Sequence, residues 1–118
     1  MNQSEYLKEF ESFTQQMLAT TRAKNADYAD ARDAFANFRA VEHLSNGKID
    51  AFDGIITRMT DKLTRIINLR FRSNVAAVEE SIEDSAKDLA VYAVILYLYL
   101  KSKGANLGEP IPTLNDPF

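Results

Sequence analysis

Cysteine and tryptophan are absent from this chain of 118 residues, and histidine occurs once. Without cysteine there is no disulfide, no thiolate metal site and no thiol nucleophile. A chain without thiols also fits a reducing compartment, so a cytoplasmic location is expected. The single histidine, His43, stands beside Leu44 and a turn signal; it reads as a surface residue and leaves no His-based triad to build. The four glycines (Gly47, Gly54, Gly104, Gly108) are scattered, which excludes a glycine-rich phosphate loop. All three prolines fall at Pro110, Pro112 and Pro117, so proline breaks no helix before that point.

Basic and acidic residues number 14 and 17, for a net charge of −3. That balance argues against broad, charge-driven DNA binding, while leaving room for a local basic pocket. The longest apolar run, Leu89–Leu100 (LAVYAVILYLYL), is well short of the roughly 20 residues a membrane span needs, so no membrane element is expected. The opening MNQSEYLKEFESF has early acids and no apolar h-region, unlike a signal peptide.

What is present is helical periodicity. Asn2 to about Thr21 reads as a helix with Ser4 as N-cap, its apolar residues Tyr6, Leu7, Phe10, Phe13, Met17 and Leu18 following the 3.6-residue period. Lys24 to Asn46 reads as helical turns with unclear ends, because Asn25 and Asp27 favour local bonds to backbone. Ser45-Asn46-Gly47 signals a turn. Asp50 to about Phe71 is a strong helix with the apolar stripe Phe52, Ile55, Ile56, Met59, Leu63, Ile66 and Ile67. A break is expected within Ser73–Val78. A third main helix then runs from about Ser81, with Ser81 to Asp84 as a capping box, to Lys103, with Gly104 at the C′ position. The expectation is an all-α protein: a small bundle of three main helices plus short helical turns, one domain over 1–104 and a proline-containing tail over 105–118. The segment Leu89–Leu100 is apolar all round, more than one neighbour can cover, and predicts a homo-oligomer, a dimer or tetramer.

Three constellations could carry chemistry. Glu80, Asp84 and Asp88 repeat every four residues and share a face on a continuous helix. Stacked carboxylates repel one another and suit a hard Mg²⁺ or Mn²⁺ ion. The competing account is a solvated acidic first turn, favoured by the helix dipole, from which Asp88 alone stands apart. Arg58, Lys62 and Arg65 line one face of the second strong helix with Asp61 among them. Arginine grips phosphate in bidentate fashion and lysine acts as a point charge; a plain surface face with an Asp61–Arg65 pair is the alternative. Lys24, Asn25, Asp27 and Tyr28 could hold a base or sugar, since amides read base edges and aromatics stack. Against that, they form a polar connector with core aromatics.

In order along the chain, KNADYAD with a following AFANF, then GIITRMTDKLTRIINL, then EESIEDSAKDLAVYAVI resemble the phage and bacterial family called nucleotide modification associated domain 1. The resemblance spans most of Lys24 to Ile95. That family occurs near enzymes of nucleotide metabolism and DNA-base modification. Its layout is similar to all-α nucleoside triphosphate pyrophosphohydrolases of the MazG and dimeric dUTPase type, which hold Mg²⁺ between two acidic helices and cleave between the α and β phosphates. The resemblance implies a phage-type nucleotide-binding protein in the host cytoplasm. Asp84 and Asp88 would be catalytic, and Glu80, Asp84, Asp88 and Asp61 would hold Mg²⁺ or Mn²⁺. Arg58, Lys62 and Arg65 would bind phosphate, and Lys24, Asn25, Asp27 and Tyr28 the nucleoside. Where that pattern has a second acidic helix, this sequence offers Asp61 alone, so a non-catalytic module stands as the alternative: one that sequesters a nucleotide or cyclic nucleotide, or serves a modifying enzyme.

Overall fold

The computed structural model describes residues 1–28, 33–72 and 76–107, with side chains throughout except at 25–28, 76–77, 80 and 105–107. Its elements are α1 (Gln3–Tyr28), α2 (Ala36–Leu44), α3 (Ala51–Arg70) and α4 (Ala76–Leu107). The architecture is all-α, as the periodicity predicts. No helix among the described residues is long and apolar enough to cross a membrane. The chain divides into two compact units, Met1–Asn37 and Phe38–Phe118.

The first unit is dominated by α1. Its cap is Asn2, not Ser4. Glu5 N donates to Asn2 Oδ1 at 2.8 Å and Asn2 N donates to Glu5 Oε2 at 3.1 Å, a reciprocal box that satisfies two otherwise orphaned donors. Asn outranks Ser in this role only slightly, but only Asn2 has an acid three residues on that can reach back. The helix also runs to Tyr28 rather than stopping near Thr21. Ala19, Ala23 and Ala26 favour the helix strongly enough to carry it through Asn25 and Asp27, and no glycine or proline stops it. On its surface the Tyr6 and Phe10 rings meet in a tilted pair, 6.1 Å between centroids. Beyond the helix, Asp33 folds the backbone into a turn: its Oδ1 accepts from Phe35 N at 3.0 Å and its carbonyl from Ala36 N at 3.3 Å.

The second unit is built on α3 packed against α4. The turn at Ser45-Asn46-Gly47 forms as expected, and its mechanism is a Schellman motif. Gly47 N donates to Glu42 O (2.8 Å), Asn46 N donates to His43 O (3.3 Å), and Asn46 takes the left-handed conformation at φ 55°. Three residues later Asp50 caps α3, in extended backbone, with Asp53 N donating to Asp50 Oδ1 at 2.8 Å and Asp53 Oδ2 accepting from Asp50 N at 3.3 Å. Glu42 of α2 accepts from Ala51 N at 2.7 Å, so a second orphaned donor of α3 is satisfied from a neighbouring helix. The expected bounds of this helix, Asp50 and Phe71, are its two caps.

The core of the unit holds Ala51 and Ile55 from α3 and Tyr99 and Ser85 from α4. Two cations approach the Tyr99 ring, the Arg39 guanidinium 5.8 Å and the Lys103 ammonium 5.1 Å from its centre. Lys103 is held above its ordinary value first by the Tyr99 hydroxyl, against the opposing effect of desolvation, with the Asp50 and Glu42 carboxylates adding attraction. The start of α3 and the end of α4 therefore meet, and the two helices run antiparallel. The expected stripe of α3 divides in two: Ile55 is buried and Met59 and Ile66 half-buried, while Phe52, Leu63 and Ile67 are exposed.

Two expectations for α4 are corrected. It begins at Ala76, so part of the expected break is helical and Ser81 is an interior residue, not a cap. Ala76, Ala77 and Glu79 are good helix formers that extend it backwards. It also continues to Leu107, which places Gly104 inside the helix and takes 105–107 out of the expected tail. A helical glycine costs about 1 kcal/mol relative to alanine, too little to end a helix of this length. The rest of the tail, 108–118, lies outside the described residues. One neighbour indeed fails to cover α4: Val94, Tyr97 and Leu98 remain 45–50% exposed.

Candidate phosphate-binding groove

The flank of α3 turned away from Phe52, Leu63 and Ile67 carries the charge. Arg58, Arg65 and Arg72 repeat every seven residues, close to two helical turns, and therefore rise in a row. Lys62 lies between the first two, one turn after Arg58. These four cations line a single open cavity of about 530 Å³. Asp61 is the one carboxylate on its wall, and Asn68 adds a neutral amide. Arg58, Arg65 and Arg72 are exposed and Lys62 is half-buried. A groove with four positive groups against one negative offers an anion several charge-assisted hydrogen bonds at once.

Lys62 reaches across to α4. Its Nζ lies 2.9 Å from Asp88 Oδ2, with the lysine side chain 29% and the aspartate 50% exposed. At that exposure the pair contributes at most about 1 kcal/mol. It marks where the cationic wall of α3 meets the acidic face of α4. Asp84 sits one turn earlier on that face and is exposed. Since α4 begins at Ala76, Asp84 and Asp88 lie about two and three turns inside it. A helix dipole acts within the first turn, so it accounts for Glu79 but for neither of these aspartates.

Of the residues singled out in the sequence, Arg58, Asp61, Lys62 and Arg65 therefore share one cavity, and Asp88 joins them through Lys62. Glu80 lies on α4 with its side chain outside the described residues. Lys24 is exposed on α1, in the first unit, and Asn25, Asp27 and Tyr28 follow it there with side chains outside the described residues. His43 is exposed, as expected. Among the described residues no three acids or histidines gather into a group that could hold a metal ion. Asp84 and Asp88 are two carboxylates on one helix, the second already paired with an ammonium, and Asp61 stands among cations. This described donor set is not by itself a metal centre.

Arg72 and Asn68 escaped the sequence reading. Arg72 follows the expected end of the helix at about Phe71 and precedes the break expected within Ser73–Val78. The heptad spacing from Arg58 through Arg65 was the signal that could have found it. The chain matches no family model, no curated protein and no solved structure.

Proposed function

We propose that this chain binds a nucleotide by its phosphates in the cationic groove of α3, as part of nucleotide metabolism or DNA-base modification. The observation that carries the reading is that Arg58, Lys62 and Arg65, with Arg72 beyond them, line one cavity. Each guanidinium presents paired donors that fit two phosphate oxygens, and the lysine adds a mobile point charge. The resemblance to nucleotide modification associated domain 1 supports the same ligand class. The test is a thermal-shift panel of nucleoside mono-, di- and triphosphates on the full chain. A bound nucleotide at a hundred times its Kd should stabilise by about 2.7 kcal/mol, and Arg58→Ala with Arg65→Ala should abolish that gain. A flat panel would reject the reading.

A second reading, hydrolysis of a (d)NTP to a (d)NMP and pyrophosphate, is favoured by the position of Asp84 and Asp88, beyond the reach of the dipole and beside the groove. That reading would need a Mg²⁺ or Mn²⁺ ion that the described donors do not gather to hold, so the expected ligand set Glu80, Asp84, Asp88 and Asp61 stays a proposal. Recovery of intact nucleotide after incubation with Mg²⁺ would reject hydrolysis and leave binding in place. The alternative is a module that sequesters a nucleotide or cyclic nucleotide, or that assists a base-modifying enzyme. The exposed Val94, Tyr97 and Leu98 support a homo-oligomer; light scattering giving only monomer would exclude it.

A further inference from the structure

The groove is longer than one nucleotide's phosphates require. At about 1.5 Å per residue, Arg58 and Arg72 stand roughly 20 Å apart along the axis. Between them come Lys62, Arg65 and Asn68, so a donor recurs about every turn or less. A triphosphate tail, with its three phosphorus atoms joined by single bridging oxygens, can reach one end of this row but not both. Arg72 is then superfluous.

At the Arg72 end the chain presents a second feature. Phe71, the C-cap of α3, is 80% exposed and is flanked in sequence by Arg70 and Arg72. An aromatic ring open to solvent and next in sequence to the last cation of the groove suits a single-stranded nucleic acid, with a base stacking on the ring and a neighbouring phosphate meeting Arg72.

Building on the nucleotide reading, we infer that the groove takes a short single strand, with its phosphodiesters running along Arg58, Lys62, Arg65 and Arg72 and one base stacked on Phe71. A strand spaces its charges one per nucleotide, and so matches a row of separated cations better than a compact triphosphate does. Backbone contacts without base-edge readout make the binding tolerant of sequence.

The test compares two ligands of matched charge. Pentathymidylate without a terminal phosphate carries about four negative charges, one per bridging phosphate, close to the charge of dTTP. Titration of the full chain followed by fluorescence anisotropy should show the pentanucleotide binding about tenfold more tightly than dTTP. Its log K should fall against log salt with a slope of about −3, for four phosphates released from their counterions. Phe71→Ala should weaken the pentanucleotide by about tenfold and leave dTTP unchanged, and Arg72→Ala should weaken the pentanucleotide by about tenfold as well. Equal or weaker binding of the strand, with dTTP still bound, overturns this inference and spares the nucleotide reading. Failure of both ligands to bind overturns both. Inorganic polyphosphate binding more tightly than the strand, with Phe71→Ala silent, also overturns it, because polyphosphate has no base to stack.

Discussion

The two ends of the α3–α4 pair are built on opposite principles. Where α3 begins and α4 ends, Ala51, Ile55 and Tyr99 are buried, Asp50 and Glu42 satisfy the first backbone donors, and two cations approach the Tyr99 ring. Where α3 ends, Arg65, Asn68, Phe71 and Arg72 are exposed, and no residue of α3 after Ile55 is fully buried. A helix anchored at one end can leave its other end to carry charge that would repel itself in a packed interior. Substitutions at the first end should therefore act on stability, and those at the second on binding.

The largest expected effect is at the anchored end. Ile55→Ala empties a fully buried site and should cost about 2–5 kcal/mol in urea unfolding. If the cost were below 1 kcal/mol, the buried end would not be the anchor. Next is the cap. Asp50→Ala should cost about 1 kcal/mol. Hydrogen bonding from the Asp53 backbone N–H holds the Asp50 carboxyl below its usual 3.8. A lowered value means the charge-dependent part of the contribution is complete above that pH and is lost as the pH falls through the folded-state value. The gap between wild type and Asp50→Ser, which keeps a neutral cap, should thus close in strong acid. At the alkaline side the sign reverses. Lys103, raised above 10.5, contributes below that pH and loses its contribution as the pH climbs through the folded-state value.

At the open end the readout changes. Arg65→Ala should leave unfolding within about 0.5 kcal/mol of wild type, as exposed substitutions do, while reducing nucleotide affinity by about tenfold, the scale of one charge-assisted hydrogen bond. A loss of several kcal/mol in stability would erase the contrast between the ends.

How much of this could be read from the sequence follows from the range of the interactions involved. The start of α3 was legible because Asp50 and Asp53 form a cap within four residues, and the Ser45-Asn46-Gly47 turn was legible for the same reason. The cationic face was legible because periodicity alone sets which residues share a flank. The beginning of α4 was misplaced because Ser81-Ile82-Glu83-Asp84 imitates a cap, while the preceding alanines and glutamates carry no stop. The far end of α1 was misplaced in the same way, by giving Asn25 and Asp27 more weight than the surrounding alanines. The Lys62–Asp88 pair was out of reach: it depends on how far α3 slides along α4, which no local pattern records.

That pair gives Lys62 a divided allegiance. Its ammonium cannot lie 2.9 Å from Asp88 and also point fully at a phosphate in the groove. Capture of an anion should therefore loosen the strut between the two helices, and releasing the strut should favour capture. Asp88→Asn, at a stability cost of no more than about 1 kcal/mol, is expected to tighten anion binding rather than weaken it, the outcome if the carboxylate competes with an anion for Lys62.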